Sequence, residues 1–572
     1  MYIRLTKGKT QKRGTIVYLV EGYREQGKSK QRVIHNFGYL EELELIEPNI
    51  LERLKQEAKE STLDQYVDVT LNLNTHSNHA SKPLNYGFFL LDALYQELHL
   101  SDFFDKQSRN YKFTYDIDEV VRLLVYSRIL RPASKKETFE NKSMYFDAFQ
   151  TIKLEDLYKS LSVLNDIKEN VQLYIHKRIQ EIYQRNPILI FYDVTNYYFE
   201  IETSDPENEG LRAKGVCKEH RPNPIVQMGL LIDDKGIPIA YRLFRGNTSD
   251  TKTMIPILKE IKKQYGFERV IVVADKGLNS ASNLYDISAD GDGYIVSEKI
   301  RGRKPELIQK ILDPIGYTFN DHQTFKIKSW LDEKEATMAD GTITHLKEKV
   351  IVFWSKKHDE REKHKRGPIE ELIHKYIETP SLYTASNAYG IKKYLKEMHV
   401  DKKTGEVVKK KPKLIFDEEK YKRDVALDGY YMLVTSETKM DNQSVIESYK
   451  GLSKIEDAFR IMKSDLEGRP VYVRTEDHIE GHFLICFLSL TLMRILQMKS
   501  GYRWSAAKIQ KALSEAGVIY LEKGIYTVFK NDDVFDEIAE LYDLKIDNKY
   551  MKHETIKKLQ KELIRNTQQN SK

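Results

Sequence analysis

Pro187–Glu200, PILIFYDVTNYYFE, is a continuous apolar run that turns polar at Asp193. A run this short, rich in β-branched and aromatic residues, reads as a buried strand. The same texture recurs nearby. NPIVQMGLLID (Asn223–Asp233) and IPIAYRLFRGN (Ile237–Asn247) read as two more strands joined by a turn at DDKG. A helix follows over Thr251–Tyr265, then the strand RVIVVADKG (Arg269–Gly277), a short helix in NSASNLYDIS (Asn279–Ser288) and the strand GYIVSEKI (Gly293–Ile300). Three strands in an antiparallel meander, followed by strands joined through helices, make an α/β layer.

Outward from that core the texture changes. Residues 1–45 hold two β-rich stretches, TIVYLVEGYRE and KQRVIHNFGYL, around Gly27, followed by a charged helix over Glu41–Ser61. Thr70–Pro83 is polar and turn-rich and reads as a linker. From Tyr86 to Arg185, DIDEVVRLLVYSRIL and NVQLYIHKRIQEIYQ space apolar residues as helices do. Arg301–Ser436 alternates strand-like stretches (HQTFKIKSWL, KEKVIVFWSK, YYMLVTSE) with basic, turn-rich ones (KKHDEREKHKRG, VVKKKPK), a mainly β insertion. Helices are expected from Asp441 nearly to the end, the last carrying Ile556, Leu559 and Leu563 on one face.

The 572 residues are 40% hydrophobic and 31% charged, with 36 Tyr and 22 Phe, which suits a multidomain protein with real cores. Net charge is only +6, but residues 1–35 carry nine bases against two acids, a cluster that could lie along phosphates. With two cysteines, Cys217 and Cys486, no disulfide framework or four-cysteine metal site is available, and a reducing interior is expected. MYIRLTKGKT has no apolar core of a secretion signal. The apolar run Phe483–Met493 falls short of the ~20 residues of a membrane span and is expected to be a buried core helix.

Three carboxylates stand out. Asp193 and Asp275 each close an apolar strand, and an acid there is pushed out at the sheet's edge, where sites form. In YKGLSKIEDAFRIMKSDLEGRPVYV, a helical spacing places Tyr449, Leu452, Glu456, Phe459 and Lys463 on one face, with Glu456 and Lys463 at its rim. Three hard oxygen ligands at one point suit Mg²⁺ or Mn²⁺, and two such ions ~3.5–4 Å apart serve phosphodiester chemistry. His478 with His482, and Cys217 with His220, have ligand-like spacing but lack further ligands, so zinc is disfavoured.

These blocks resemble the DDE transposases of bacterial insertion sequences, in the insertion-sequence-four superfamily. The resemblance lies in FYDVTNYYFE, FRGNTSDTKTM, VVADKG and YKGLSKIEDAFRIMKSDLEGRPVYVRTEDHIEGHFLICFLSL, and covers about Tyr86–Lys499. It implies an α/β ribonuclease-H-like catalytic core with a β-rich insertion, N-terminal β and helical regions, and a helical C-terminus. It implies that Asp193, Asp275 and Glu456 bind metal, with about two Mg²⁺ or Mn²⁺ ions. The family's Tyr-x2-Arg-x3-Glu-x6-Lys signature matches at Tyr449, Glu456 and Lys463, while Leu452 holds the Arg position; Lys454 or Arg460 could substitute. Tyr449 and Lys463 are then DNA contacts, joined as candidates by Lys276 and by Lys214, Lys218 and Arg221 in KGVCKEHRPNP.

The expected division is 1–75 (basic β/α), 84–185 (helical, reading DNA ends), 186–300 (first part of the core), 301–436 (β-rich insertion), 437–500 (second part, with the Glu helix) and 501–572 (helical). The implied activity is endonuclease cleavage at terminal inverted repeats followed by strand transfer into target double-stranded DNA, that is, DNA recombination, by a homodimer on DNA. The expected setting is the bacterial cytoplasm, at the nucleoid and away from membranes. The alternatives are a metal-dependent nuclease that never joins DNA, and an inactive DNA-binding relic.

Overall fold

The computed structural model describes residues 1–7, 14–25, 28–60, 82–111, 113–185, 187–206, 209–218, 220–277, 280–337, 342–379, 391–398, 413–530 and 533–570. Lys9, Lys12, Arg13, Gly27, residues 70–81 of the expected linker and residues 402–412 of the basic stretch in the insertion lie outside the described residues. The chain divides into two compact units. One comprises Met1–Pro83, Val518–Phe529 and Asn548–Ile556; the other comprises Leu84–Gly517, Lys530–Asp547 and Lys557–Lys572.

In the first unit, β1 (Tyr2–Lys7), β2 (Thr15–Glu25) and β3 (Lys28–Tyr39) form an antiparallel meander. The expected single charged helix is two, α1 (Leu40–Ile46) and α2 (Ile50–Glu60). Pro48 lacks a donor and disfavours helix before it, and Asn49 takes a left-handed turn at φ 71°. Val17, Ile50 and Leu54 make the small core beneath.

The second unit opens with the short strand β4 (Leu84–Asn85) and the helices α3 (Phe88–Glu97), α4 (Leu100–Ser108), α5 (Ile117–Leu130), α6 (Lys135–Glu140), α7 (Leu154–Asp166) and α8 (Lys168–Tyr183). Then come β5 (Leu189–Tyr198), β6 (Ile225–Asp233), β7 (Pro238–Arg245), α9 (Met254–Tyr265), β8 (Ile271–Ala274), α10 (Ala281–Ala289) and β9 (Gly293–Glu298), in the order the sequence suggests. β5, β6 and β7 pair antiparallel, while β8 runs parallel to β5 and β9 parallel to β8. Helices α9 and α10 bury Ile257, Leu258, Ile261, Leu284 and Ile287 against Ile190, Val272 and Tyr294 of the sheet.

The insertion extends this sheet. After α11 (Pro305–Leu312) come β10 (Thr318–Phe319), β11 (Phe325–Thr337), β12 (Ile343–Ser355), α12 (Lys356–Glu378), β13 (Leu395–Met398), β14 (Lys413–Phe416), α13 (Glu418–Ala426) and β15 (Tyr430–Thr435). The nine-stranded order is β10-β11-β12-β15-β9-β8-β5-β6-β7, a large mixed sheet. KKHDEREKHKRG, expected to be turn-rich, starts the 23-residue α12. Its charges pair one turn apart, as in Lys363–Asp359 at 2.8 Å, which supports helix despite Pro368.

The remaining elements are α14 (Asn442–Lys450), α15 (Ser453–Arg460), α16 (Glu476–Lys499), α17 (Ala506–Glu515), β16 (Gly517–Tyr520), β17 (Ile525–Phe529), α18 (Asp533–Glu540), β18 (Tyr550–Lys552) and α19 (His553–Asn570). The C-terminus is thus not wholly helical. β16 and β17 form a hairpin around Lys523 and Gly524, both at positive φ, and β18 pairs with β17. Helix α16 contains Phe483–Met493 and is long and apolar enough to cross a membrane, but that stretch is buried within the protein against α5 and α7.

Where α6 meets α16, Lys135 Nζ lies 3.5 Å from His482 Nδ1, with Cys486 Sγ 3.8 Å from His482 Nε2. Burial, reinforced by Arg128, pulls the Lys135 ammonium down to about 7 from 10.5. Burial and the cations Lys135 and Arg128 hold His482 well below its ordinary value. Between pH 7 and 10.5 the unfolded chain therefore binds more protons at Lys135 than the folded chain does. The destabilisation is complete below pH 7 and fades as pH rises to 10.5. Lys135→Met is expected to raise thermal stability at pH 7 by the order of a few kcal/mol. It should also flatten the rise of the melting temperature between pH 7 and 10.

Candidate active site

Asp193 does not end its strand but sits midway along β5, which continues to Tyr198. The parallel register pairs Tyr192 with Ala274, so Asp193 and Asp275 occupy the next positions on adjacent strands, a backbone separation of about 5 Å. Asp193 is half-buried, and the Val194 backbone N–H donates to its Oδ1 at 2.7 Å. Burial pushes its carboxyl up to about 6; Lys218 and that N–H oppose the rise, and Asp275 and Glu456 add to it. Asp275 and Glu456 thus both act on Asp193 through space.

Asp275 is exposed beyond the end of β8. Its Oδ1 accepts hydrogen bonds from Ser297 Oγ at 2.9 Å and Tyr449 Oη at 3.1 Å. Burial raises the Tyr449 hydroxyl's pKa; the Ser297 contact lowers it, and Asp275 and Glu456 raise it further. Tyr449 is thus anchored to Asp275. Ser297 is a site residue the sequence reading passed over. Its one signal was a polar side chain inside GYIVSEKI, on the strand beside Asp275.

Glu456 is exposed in the first turn of α15. The single continuous face expected from Tyr449 to Lys463 is not formed. The helix breaks between α14 and α15 at Gly451–Leu452, and Ile461–Asp465 widens into a π-helical turn. The break coincides with a close approach to the sheet. A Cβ on Gly451 would lie 2.3 Å from the Phe191 ring of β5, so only glycine lets the chain approach the sheet here. Gly451→Ala is expected to cost about 1–3 kcal/mol by overpacking. It should also slow catalysis, because α15 carries Glu456; thermal unfolding and a turnover assay would show both effects.

Leu452, at the family's Arg position, is buried. Both proposed substitutes have partners within the protein. Lys454 Nζ donates to the Asp234 carbonyl, and Arg460 pairs with Asp457 and Asp465. Lys463 Nζ sits 5.5 Å from the centre of the Tyr197 ring, on the face of β5 that Asp193 shares by alternation. Lys276 lines a cavity of about 390 Å³ with Asp275, Tyr449, Lys299 and Arg301. Lys214 and Lys218 line a separate groove beside β5, and Lys218 Nζ donates to the Val194 carbonyl at 2.7 Å. Arg221 lies over the Tyr198 ring at 4.2 Å and 3.7 Å from Glu200, which ties it to its own loop.

As donors for a metal, the three acids offer only carboxylate oxygen, the chemistry of a hard divalent cation. The other two acids raise the pKa of Asp193, which a bound cation would relieve, so the residues' chemistry fits one. Among the described residues, no three His, Cys, Asp or Glu side chains already stand at metal-binding spacing, and Asp275 Oδ1 is engaged by two hydroxyls.

A family model described as "Transposase DDE domain" matches residues 213–492, and one described as "IS1634 family transposase, N-terminal domain" matches residues 3–65. The chain belongs to the DDE transposases of bacterial insertion sequences. It is a DNA transposase, and the family depends on divalent metal in general. Asp275 and Glu456 fall inside the matched span 213–492, and Asp193 precedes it. Among solved structures the transposase is similar to a piggyBac transposase synaptic complex with hairpin DNA, determined by cryo-EM. The identity is 9% and the TM-score 0.34, with 79% of this chain and 77% of that chain covered. No curated protein sequence matches the transposase.

Proposed function

We propose that this transposase uses Asp193, Asp275 and Glu456 as its catalytic triad, holding two Mg²⁺ or Mn²⁺ ions, to cut the insertion sequence's terminal inverted repeats and join them to target DNA. The observation that carries this is the parallel register that brings Asp193 and Asp275 to adjacent strand positions, with Glu456 and Asp275 both acting on Asp193 and Tyr449 hydrogen-bonded to Asp275. Three antiparallel strands followed by two parallel ones joined through helices support a ribonuclease-H-like core built from 186–300 and 437–500, interrupted by 301–436.

When bound, the cations supply the charge that activates an attacking oxygen and stabilises the crowded phosphate. The chain's own residues set up that environment. Ser297 and Tyr449 fix the Asp275 carboxylate, and Lys218 braces β5 at Val194 beside Asp193. Lys463, Lys276 and Lys214 offer positive charge to the DNA backbone around the acids. Cleavage frees a 3′ hydroxyl, which then attacks a phosphodiester of the target. Handling two ends together calls for a homodimer on DNA, with the basic strands of residues 1–75 and the helices of 84–185 reading the ends at the bacterial nucleoid.

The test is incubation of a labelled transposon-end duplex with target DNA and Mg²⁺. Metal-dependent joined product is expected. Nicking without joining would replace this reading with a nuclease, and end binding without either would replace it with a relic.

A further inference from the structure

Asn196 and Gln227 face each other directly across the antiparallel pair β5–β6. Both are deeply buried, at 2% and 7% exposure. Both line an open groove of about 830 Å³ that also takes in Lys214, Thr248, Ser249 and Val194, the residue next to Asp193. Asn196 is oriented by its Nδ2, which donates to the Val216 carbonyl at 3.1 Å. Asn196 Oδ1 and Gln227 Oε1 accept no hydrogen bond from any described residue.

Leaving a buried amide oxygen unpaired is costly, and folded proteins do so sparingly. Here two such oxygens lie on facing residues in one groove, three residues along β5 from Asp193 and by alternation on the other face of that strand; Lys218, whose charge acts on Asp193, lines the same groove. Leucine or methionine at these positions would remove the penalty at the two oxygens, with only the Asn196 contact to the Val216 carbonyl lost. The pair is therefore suited to a ligand that donates hydrogen bonds into the groove. In DNA, the donors that carboxamides read are the exocyclic amino groups of adenine, cytosine and guanine; thymine has none. Lys214 at the groove wall adds positive charge for the adjoining phosphate.

We infer that Asn196 and Gln227 form a base-reading pocket for a nucleotide flanking the cut phosphate, selecting a base with an exocyclic amino group. This rests on the proposed cleavage of DNA ends at Asp193. The full-length transposase would be titrated in Ca²⁺ with fluorescent duplexes of its own element's end, in which each nucleotide flanking the cut is replaced in turn by an abasic site or by thymine. Both replacements at one flanking position are expected to weaken wild-type binding roughly 10- to 100-fold. Gln227→Met and Asn196→Leu should bind intact and altered duplexes alike. Gln227→Met should also keep or raise the melting temperature, which a merely structural glutamine would not allow. Lys214→Ala should weaken all duplexes equally and leave base discrimination intact. Wild-type protein indifferent to every flanking position, or variants with wild-type discrimination, would overturn the inference. A parallel joining assay in Mg²⁺ separates the two failures: joined product with no base preference defeats only the pocket, and absence of joined product defeats the cleavage reading.

Discussion

Glu456→Gln is expected to reduce end cleavage and joining by about a thousandfold or more, the scale on which a preorganised charge at the reacting phosphate acts. The fold should survive. Glu456 is exposed on the first turn of α15, so its stability should change by no more than ~0.5 kcal/mol. Asp457→Asn, one residue along, should behave oppositely. Asp457 accepts from the buried Arg494 at 2.9 Å, and losing that charge should lower the melting temperature while joining continues. Joining activity and unfolding measured on both variants separate chemistry from folding. Equal joining by Glu456→Gln and wild type would remove Glu456 from the site.

The largest stability effect is expected at the edge of the core. Arg185 and Asp233 are buried at 4% and 1% exposure, and Arg185 Nε donates to Asp233 Oδ2 at 2.8 Å. The guanidinium also reaches the Pro238 carbonyl at 2.9 Å. Asp233 Oδ1 in turn accepts the backbone N–H groups of Lys235 at 3.0 Å and Ile237 at 2.8 Å, closing the turn between β6 and β7. Asp233→Ala would leave a buried cation and two turn donors without partners, at a cost of about 3–5 kcal/mol. Urea unfolding should show a lower midpoint at an unchanged slope. Adding Arg185→Met should recover part of the loss, because the unpaired buried charge is then gone. A loss below ~1 kcal/mol would mean that water reaches Arg185.

What could be read from the sequence followed from local pattern. The apolar runs ending in polar residues located β5 and β8, and their common α/β unit placed Asp193 and Asp275 near each other before any geometry was known. Helical spacing found Glu456 but could not find the break before it. There the chain packs on the Phe191 ring, distant in sequence, which excludes a side chain at Gly451. Ser297 was missed for the same kind of reason: its contact with Asp275 depends on which strand lies beside β8. Pairing also explains why the insertion's strands continue the core sheet, since β15 docks on β9 through a register that alternation alone does not specify. The β16–β17 hairpin was hidden because β16 follows α17 directly and its turn uses Lys523 at positive φ, a lysine where turn chemistry favours glycine or asparagine. The unpaired amides of Asn196 and Gln227 are legible only in three dimensions, because a polar residue in a strand gives no sign of lacking a partner.

Asp193, Asp275 and Glu456 are proposed to gather divalent metal at one point. Mn²⁺ titration followed by electron paramagnetic resonance, on the full-length transposase with an end duplex bound, measures this without relying on turnover. Bound Mn²⁺ is expected in the wild type. Its affinity should fall at least about tenfold, roughly 1.4 kcal/mol, in each of Asp193→Asn, Asp275→Asn and Glu456→Gln. Wild-type Mn²⁺ binding retained in all three variants would mean that these acids do not hold the metal.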